Sequence, residues 1–99
     1  MRRIILAPSF DAEFLDILNY IEDRFGERVA DEYEARFKST VHNLAHAPLI
    51  GTQEHGYPTT LFAIVLYPNW LFYRFTDDEL RILHIRDSRR NKGSQTFSK

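Results

Sequence analysis

Three apolar runs in the second half of the chain, cut apart by turn residues, restrict the fold more than any other feature. They are Leu61-Phe62-Ala63-Ile64-Val65-Leu66, Trp70-Leu71-Phe72-Tyr73-Arg74-Phe75 and Leu80-Arg81-Ile82-Leu83-His84-Ile85. Tyr67-Pro68-Asn69 separates the first two, and Thr76-Asp77-Asp78-Glu79 the last two. Short runs rich in β-branched and aromatic residues, bounded by such turn residues, are strands. Connections this short join antiparallel neighbours, because a parallel pair needs a long crossover. Strands are therefore predicted over Thr60–Leu66, Trp70–Phe75 and Leu80–Ile85. The near-continuous apolar character of the first two predicts central strands covered on part of both faces.

The first half carries a different period. Arg3 to Ala7 is short and β-branched and reads as a strand stopped by Pro8. Ser9 can cap the helix that follows, with Asp11 and Glu13 near its positive end. Phe14, Ile17, Leu18, Ile21 and Phe25 share one helical face. Gly26 is placed to end this helix with a positive φ. A second helix starts near Glu27 or Arg28. Its apolar stripe is Ala30, Tyr33, Phe37, Thr40/Val41 and Leu44, and Pro48 stops it. With so short a link the two helices form an antiparallel hairpin. Leu49 to Thr59, with Gly51, Gly56 and Pro58, reads as a loop. The order β-α-α-β-β-β predicts an α+β fold, a helical hairpin packed on one face of a mainly antiparallel sheet.

A chain of 99 residues is one domain, assigned to residues 1–91, with a flexible basic tail over 92–99. The chain has no cysteine, which excludes disulfides, thiolate metal sites and a cysteine nucleophile. No apolar run approaches the ~20 residues of a membrane helix. The apolar start before Pro8 is too short for a secretory signal, so a cytoplasmic protein is expected. A formal net charge of −1 conceals segregation. Residues 1–50 hold six Lys/Arg against nine Asp/Glu, whereas residues 80–99 hold six against one. A basic end of this kind suits nucleic acid or an acidic protein surface.

Several stretches resemble the ParE/RelE toxin superfamily of type II toxin–antitoxin systems. Leu6-Ala7-Pro8-Ser9-Phe10-Asp11-Ala12-Glu13, Ile17-Leu18-Asn19-Tyr20-Ile21 and Phe25-Gly26 are similar to its opening. Leu44 to Gly51 is similar to its L-x-x-x-P-x-x-G stretch, and Trp70 to Phe75 to its hairpin ending in Tyr-Arg. The likeness spans about residues 4 to 91. It implies the same β-α-α-β-β-β fold, the toxin role and a cognate antitoxin that wraps the toxin. RelE-like members cut mRNA on the ribosome, ParE-like members poison DNA gyrase, and some members are inert.

Two chemistries follow from the resemblance. RNA cleavage needs a base, cations on the phosphate and an acid. Arg74 matches the hairpin arginine that contacts the phosphate in the nuclease branch, and His84 and Tyr73 are the candidates for proton transfer. Each has a bland alternative: Arg74 pairing with Asp77 or Glu79, His84 hydrogen-bonded at a sheet edge, Tyr73 in the core. Between Ala47 and Trp70 there is no Lys or Arg, and after Arg86 no Tyr or His. Both absences count against the nuclease. The segment Ile85-Arg86-Asp87-Ser88-Arg89-Arg90-Asn91 is similar to the ParE ending, with Asp87 where a histidine is common. The expected function is therefore a ParE-like toxin that inhibits DNA gyrase by binding. Arg74, Arg86, Arg89, Arg90 and Lys92 would form its cationic surface for target or antitoxin. A ribosome-dependent mRNA endonuclease and an inert homologue that only binds antitoxin are the alternatives. His42 and His46 stand four apart on the second helix without a third ligand, so no metal is expected, and no cofactor. A homodimer and a heterotetramer with the antitoxin are both compatible with the sequence.

Overall fold

The computed structural model describes residues 1–57 and 60–87. β1 (Arg3–Leu6) leads into α1 (Pro8–Phe25) and α2 (Glu27–His46). A single 3-10 turn (Pro48–Ile50) follows, then β2 (Thr52–Glu54), β3 (Leu61–Leu66), β4 (Asn69–Phe75) and β5 (Glu79–Asp87). The five strands lie in the order β1-β5-β4-β3-β2. β1 runs parallel to β5, and the other three pairings are antiparallel. The expected α+β layering is present, two helices on a mixed sheet. β2, inside the segment read as a loop, extends the sheet by one short edge strand.

The helices bury one stripe each. The rings of Phe10, Phe14 and Phe37 pack with centroids 4.5–5.2 Å apart between α1 and α2, Phe10 stacked on both and Phe14 tilted against Phe37. From α2, Tyr33, Val41 and Leu44 join Leu66, Leu71, Tyr73, Leu80, Ile82 and Ile85 of the sheet in one core. Phe10 is fully buried although the predicted α1 face began at Phe14. Phe25, predicted on that face, is 63% exposed. It sits in the last turn of a helix ~27 Å long at 1.5 Å per residue, where the face leaves the core. Gly26 ends α1 with φ +94°, as its position predicts.

α1 does not start as expected. Ala7 is the cap residue, Pro8 takes the first helical position, and no side chain caps the helix. The Ser9 hydroxyl instead donates to the Leu83 carbonyl at 3.0 Å. The reason lies in the β1–β5 ladder, which ends where the Ala7 N–H meets the Ile82 carbonyl. Beyond that point this edge of β5 has no strand beside it among the described residues, and side chains of α1 complete it.

On the other face of the sheet Leu61, Ala63 and Phe72 are buried, with Tyr57, Trp70 and Leu83 packed against them. Coverage of parts of both faces explains the uninterrupted apolar runs of β3 and β4. Phe72 pairs with His84 while Tyr73 pairs with Ile82, so Leu83 is an extra residue in β5. This bulge lets Ile82 and Ile85, three apart, both enter the core, and it sets the position of His84 and Arg86.

Candidate functional site

The β4 tyrosine and the turn after α2 form one contact. The Tyr73 hydroxyl donates to the Pro48 carbonyl at 2.6 Å and is sealed from solvent. A side chain on Gly51 would overlap it, since a Cβ there would stand 2.1 Å from the Tyr73 oxygen. Burial pushes the Tyr73 phenol up to about 12, with a backbone hydrogen bond from Gly51 acting in the opposite sense. The Pro-x-x-Gly stretch and the Tyr-Arg hairpin, separate motifs in the sequence, are thus two halves of one packing contact.

His84 and Arg86 meet Glu13 of α1. Glu13 Oε1 accepts the Ile85 backbone N–H at 3.0 Å, in the place a β1 carbonyl would occupy if that strand continued. Glu13 Oε2 lies 3.0 Å from an Arg86 guanidinium nitrogen and 3.2 Å from His84 Nδ1. The same Arg86 nitrogen is 3.2 Å from His84 Nδ1. With its proton on Nδ1 the ring donates to Glu13; with it on Nε2 the ring accepts from Arg86. His84 is buried and Arg86 half-buried. The expectation of a hydrogen-bonded histidine at a sheet edge describes this position.

Arg74 lies at the other end of β4. It is exposed, its register partner is Arg81 of β5, and it has no ion pair among the described residues. The two arginines line a shallow depression of about 250 Å³ with Phe75, Thr76 and Glu79. Glu79 pairs with Arg81 at 3.2 Å and with Arg3 of β1. The Arg3 hydrogen bond, ahead of the charge of Arg81, holds its carboxyl below the usual range. Like charges directly opposite on a sheet repel, so Arg74 and Arg81 together favour an anion between them. Arg81 entered the sequence reading only as part of the net charge. About five residues of β5, ~16 Å at 3.3 Å per residue, separate this pair from Arg86. The predicted cationic rim is therefore divided between the two ends of the hairpin. Arg89, Arg90, Lys92 and the 92–99 tail lie outside the described residues.

A groove of about 650 Å³ opens between α1, the start of α2, the β3–β4 turn and the end of β5. Its walls include Ile17, Ile21, Val29 and Ile85, and its rim Tyr20 and Phe25, which are 54% and 63% exposed. Glu13, Arg86 and Arg36 also line it. Below it, Asn69 Nδ2 donates to the Tyr33 hydroxyl at 2.7 Å, which donates to the Leu66 carbonyl at 3.1 Å. Burial raises the Tyr33 phenol, keeping it a neutral donor. The exposed Phe25 was the sequence signal for this groove, read instead as core.

The His42 and His46 rings stand 4.8 Å apart. No group of three or more His, Cys, Asp or Glu able to hold a metal ion occurs among the described residues. Among the same residues no helix is long and apolar enough to cross a membrane.

Two helices packed on a sheet of this order define a known architecture. A solved structure described as the chromosomal ParDE TA system from P. aeruginosa superposes with a TM-score of 0.72 at 17% identity. The match covers 88% of this chain and 96% of that one. No curated protein matches the sequence. The family model described as the ParE toxin of type II toxin–antitoxin system, parDE, matches residues 4–92, and the chain belongs to that family.

Proposed function

We propose that this ParE-family toxin works by binding: it inhibits DNA gyrase in the cytoplasm and is silenced by a cognate antitoxin. The supporting observation is that both candidates for proton transfer are engaged in holding the fold. The Tyr73 hydroxyl is buried against Pro48, and His84 is packed between Glu13 and Arg86. Arg74 is left with Arg81 as its cationic neighbour, and the carboxylate lining their depression, Glu79, is tied to Arg3 and Arg81. Such a site attracts an anion, while the two side chains expected to move the 2′-hydroxyl proton in RNA cleavage are held elsewhere in the fold.

The groove is the docking site proposed for the antitoxin. An amphipathic helical segment would lay its apolar face on Ile17, Ile21 and Val29, with Tyr20 and Phe25 as aromatic anchors. The Arg74–Arg81 pair, at the far end of the hairpin, is the proposed contact for the target.

The deciding experiment uses toxin freed of antitoxin, tested for inhibition of gyrase supercoiling and for mRNA cleavage on translating ribosomes. Gyrase inhibition that falls at least tenfold in Arg74→Ala, with no cleavage, is the expected result. Ribosome-dependent cleavage lost in Arg74→Ala, with gyrase untouched, would overturn the reading in favour of the nuclease. Absence of both activities would leave a protein that only binds its antitoxin.

A further inference from the structure

Glu13 makes three contacts within one carboxylate's reach: the Ile85 N–H, His84 Nδ1 and the Arg86 guanidinium. The first is structural, because it satisfies the edge of β5 after β1 has turned into α1. An amide oxygen also accepts that hydrogen bond, more weakly than a carboxylate. A carboxylate is needed only for the cation. Arg86 is half-buried, so its pairing with Glu13 is screened less than a surface pair, and the charge it shows to solvent is largely cancelled. Arg74, by contrast, is exposed and has no ion pair among the described residues. Two arginines of one hairpin therefore differ in their readiness to meet an anion.

We propose that Glu13 is an internal competitor for Arg86, so that an anionic partner reaching this guanidinium displaces the Glu13 carboxylate. The inference rests on the reading that the cations of the hairpin meet anionic partners. It adds a regulatory element to the groove end of the hairpin: Arg74, at the other end, is open from the start, and Arg86 becomes available when a phosphate or carboxylate replaces Glu13. Both partners of the ion pair also line the groove, so a segment seated there would cover the pair in its closed state.

The test is retention of the full-length free toxin on immobilised heparin, a polyanion, over a range of salt concentrations. Glu13→Gln keeps the acceptor for Ile85 and removes the charge. Asp16→Asn, one turn further along α1 on the same groove, makes the same change in net charge without removing the Glu13–Arg86 ion pair. Glu13→Gln is expected to steepen the dependence of log retention on log salt by about one ion relative to Asp16→Asn. Adding Arg86→Ala is expected to abolish that gain. A second comparison does not depend on Glu13→Gln folding: in the native background Arg74→Ala lowers retention more than Arg86→Ala. Equal behaviour of Glu13→Gln and Asp16→Asn, or a gain that survives Arg86→Ala, overturns the proposal while leaving the binding reading intact. No loss of retention in Arg74→Ala removes the binding surface itself, and the proposal with it.

Discussion

At Tyr73 a single side chain decides between a catalytic and a structural residue by what its oxygen touches. The hydroxyl donates to the Pro48 carbonyl from a fully buried position. Tyr73→Phe leaves that carbonyl without its partner and is expected to cost about 1–3 kcal/mol in denaturant unfolding. Gyrase inhibition by the folded variant should stay intact; its loss at unchanged stability would assign the phenol to function. The raised phenol pKa has a definite sign. The folded state holds the proton more tightly than the unfolded chain, so stability is full below pH 10 and falls as pH rises toward about 12. The loss should amount to roughly 2–3 kcal/mol and disappear in Tyr73→Phe, as equilibrium unfolding across that range would reveal. Gly51 has an ordinary φ of −79°, so its need for glycine is steric alone. Gly51→Ala drives a methyl into the tyrosine and is expected to cost about 1–3 kcal/mol, with part of it recovered in the double variant with Tyr73→Phe.

α1 works as a helix toward the core and as a substitute strand toward β5. Ser9 donates to the Leu83 carbonyl and Glu13 accepts from the Ile85 N–H, four residues apart on the helix and two apart on the strand. Glu13→Ala removes the acceptor of a backbone donor and one partner of a half-buried guanidinium. It is expected to cost about 2 kcal/mol, and Glu13→Gln clearly less, by thermal or denaturant unfolding. An equal cost would mean that the charge, and not the Ile85 hydrogen bond, fastens this edge. The opposite end of α1 should behave in reverse. Phe25 is mostly exposed, so Phe25→Ala is expected to change stability by no more than ~0.5 kcal/mol. Its effect should appear in antitoxin affinity, weakened about tenfold or more in titration calorimetry. At the β1 edge, Glu79 is held below the ordinary carboxylate range by Arg3 and then Arg81. Its contribution is present above that range and is lost as pH falls through its lowered pKa, so the protection of β1 amides, taken relative to the slower intrinsic exchange in acid, should drop there.

At the scale of the molecule the two proposed surfaces lie toward opposite ends of the β4–β5 hairpin. A groove-bound antitoxin segment therefore raises stability without covering Arg74. At a free concentration a hundred times its Kd the gain is about 2.7 kcal/mol, and Arg74→Ala should leave it unchanged in a thermal melt. The sequence by itself determined the layers. Apolar spacing in α1 and α2, the three strands after residue 60 and the stops at Pro8, Gly26 and Pro48 are local signals, each readable within a few residues. β2 was not readable, because Thr52-Gln53-Glu54 has no apolar pattern and is a strand only through its ladder to β3. Tertiary structure alone decided the sites. Whether Arg86 stands open or held by Glu13 depends on two segments more than seventy residues apart, on where β1 ends and on one extra residue, Leu83, in β5. Tyr73 became a packing residue because the turn after α2 brings Pro48 and Gly51 against it. Periodicity shows which face of an element is buried, but the chemistry of a side chain follows from the register between elements, which only the closed sheet fixes.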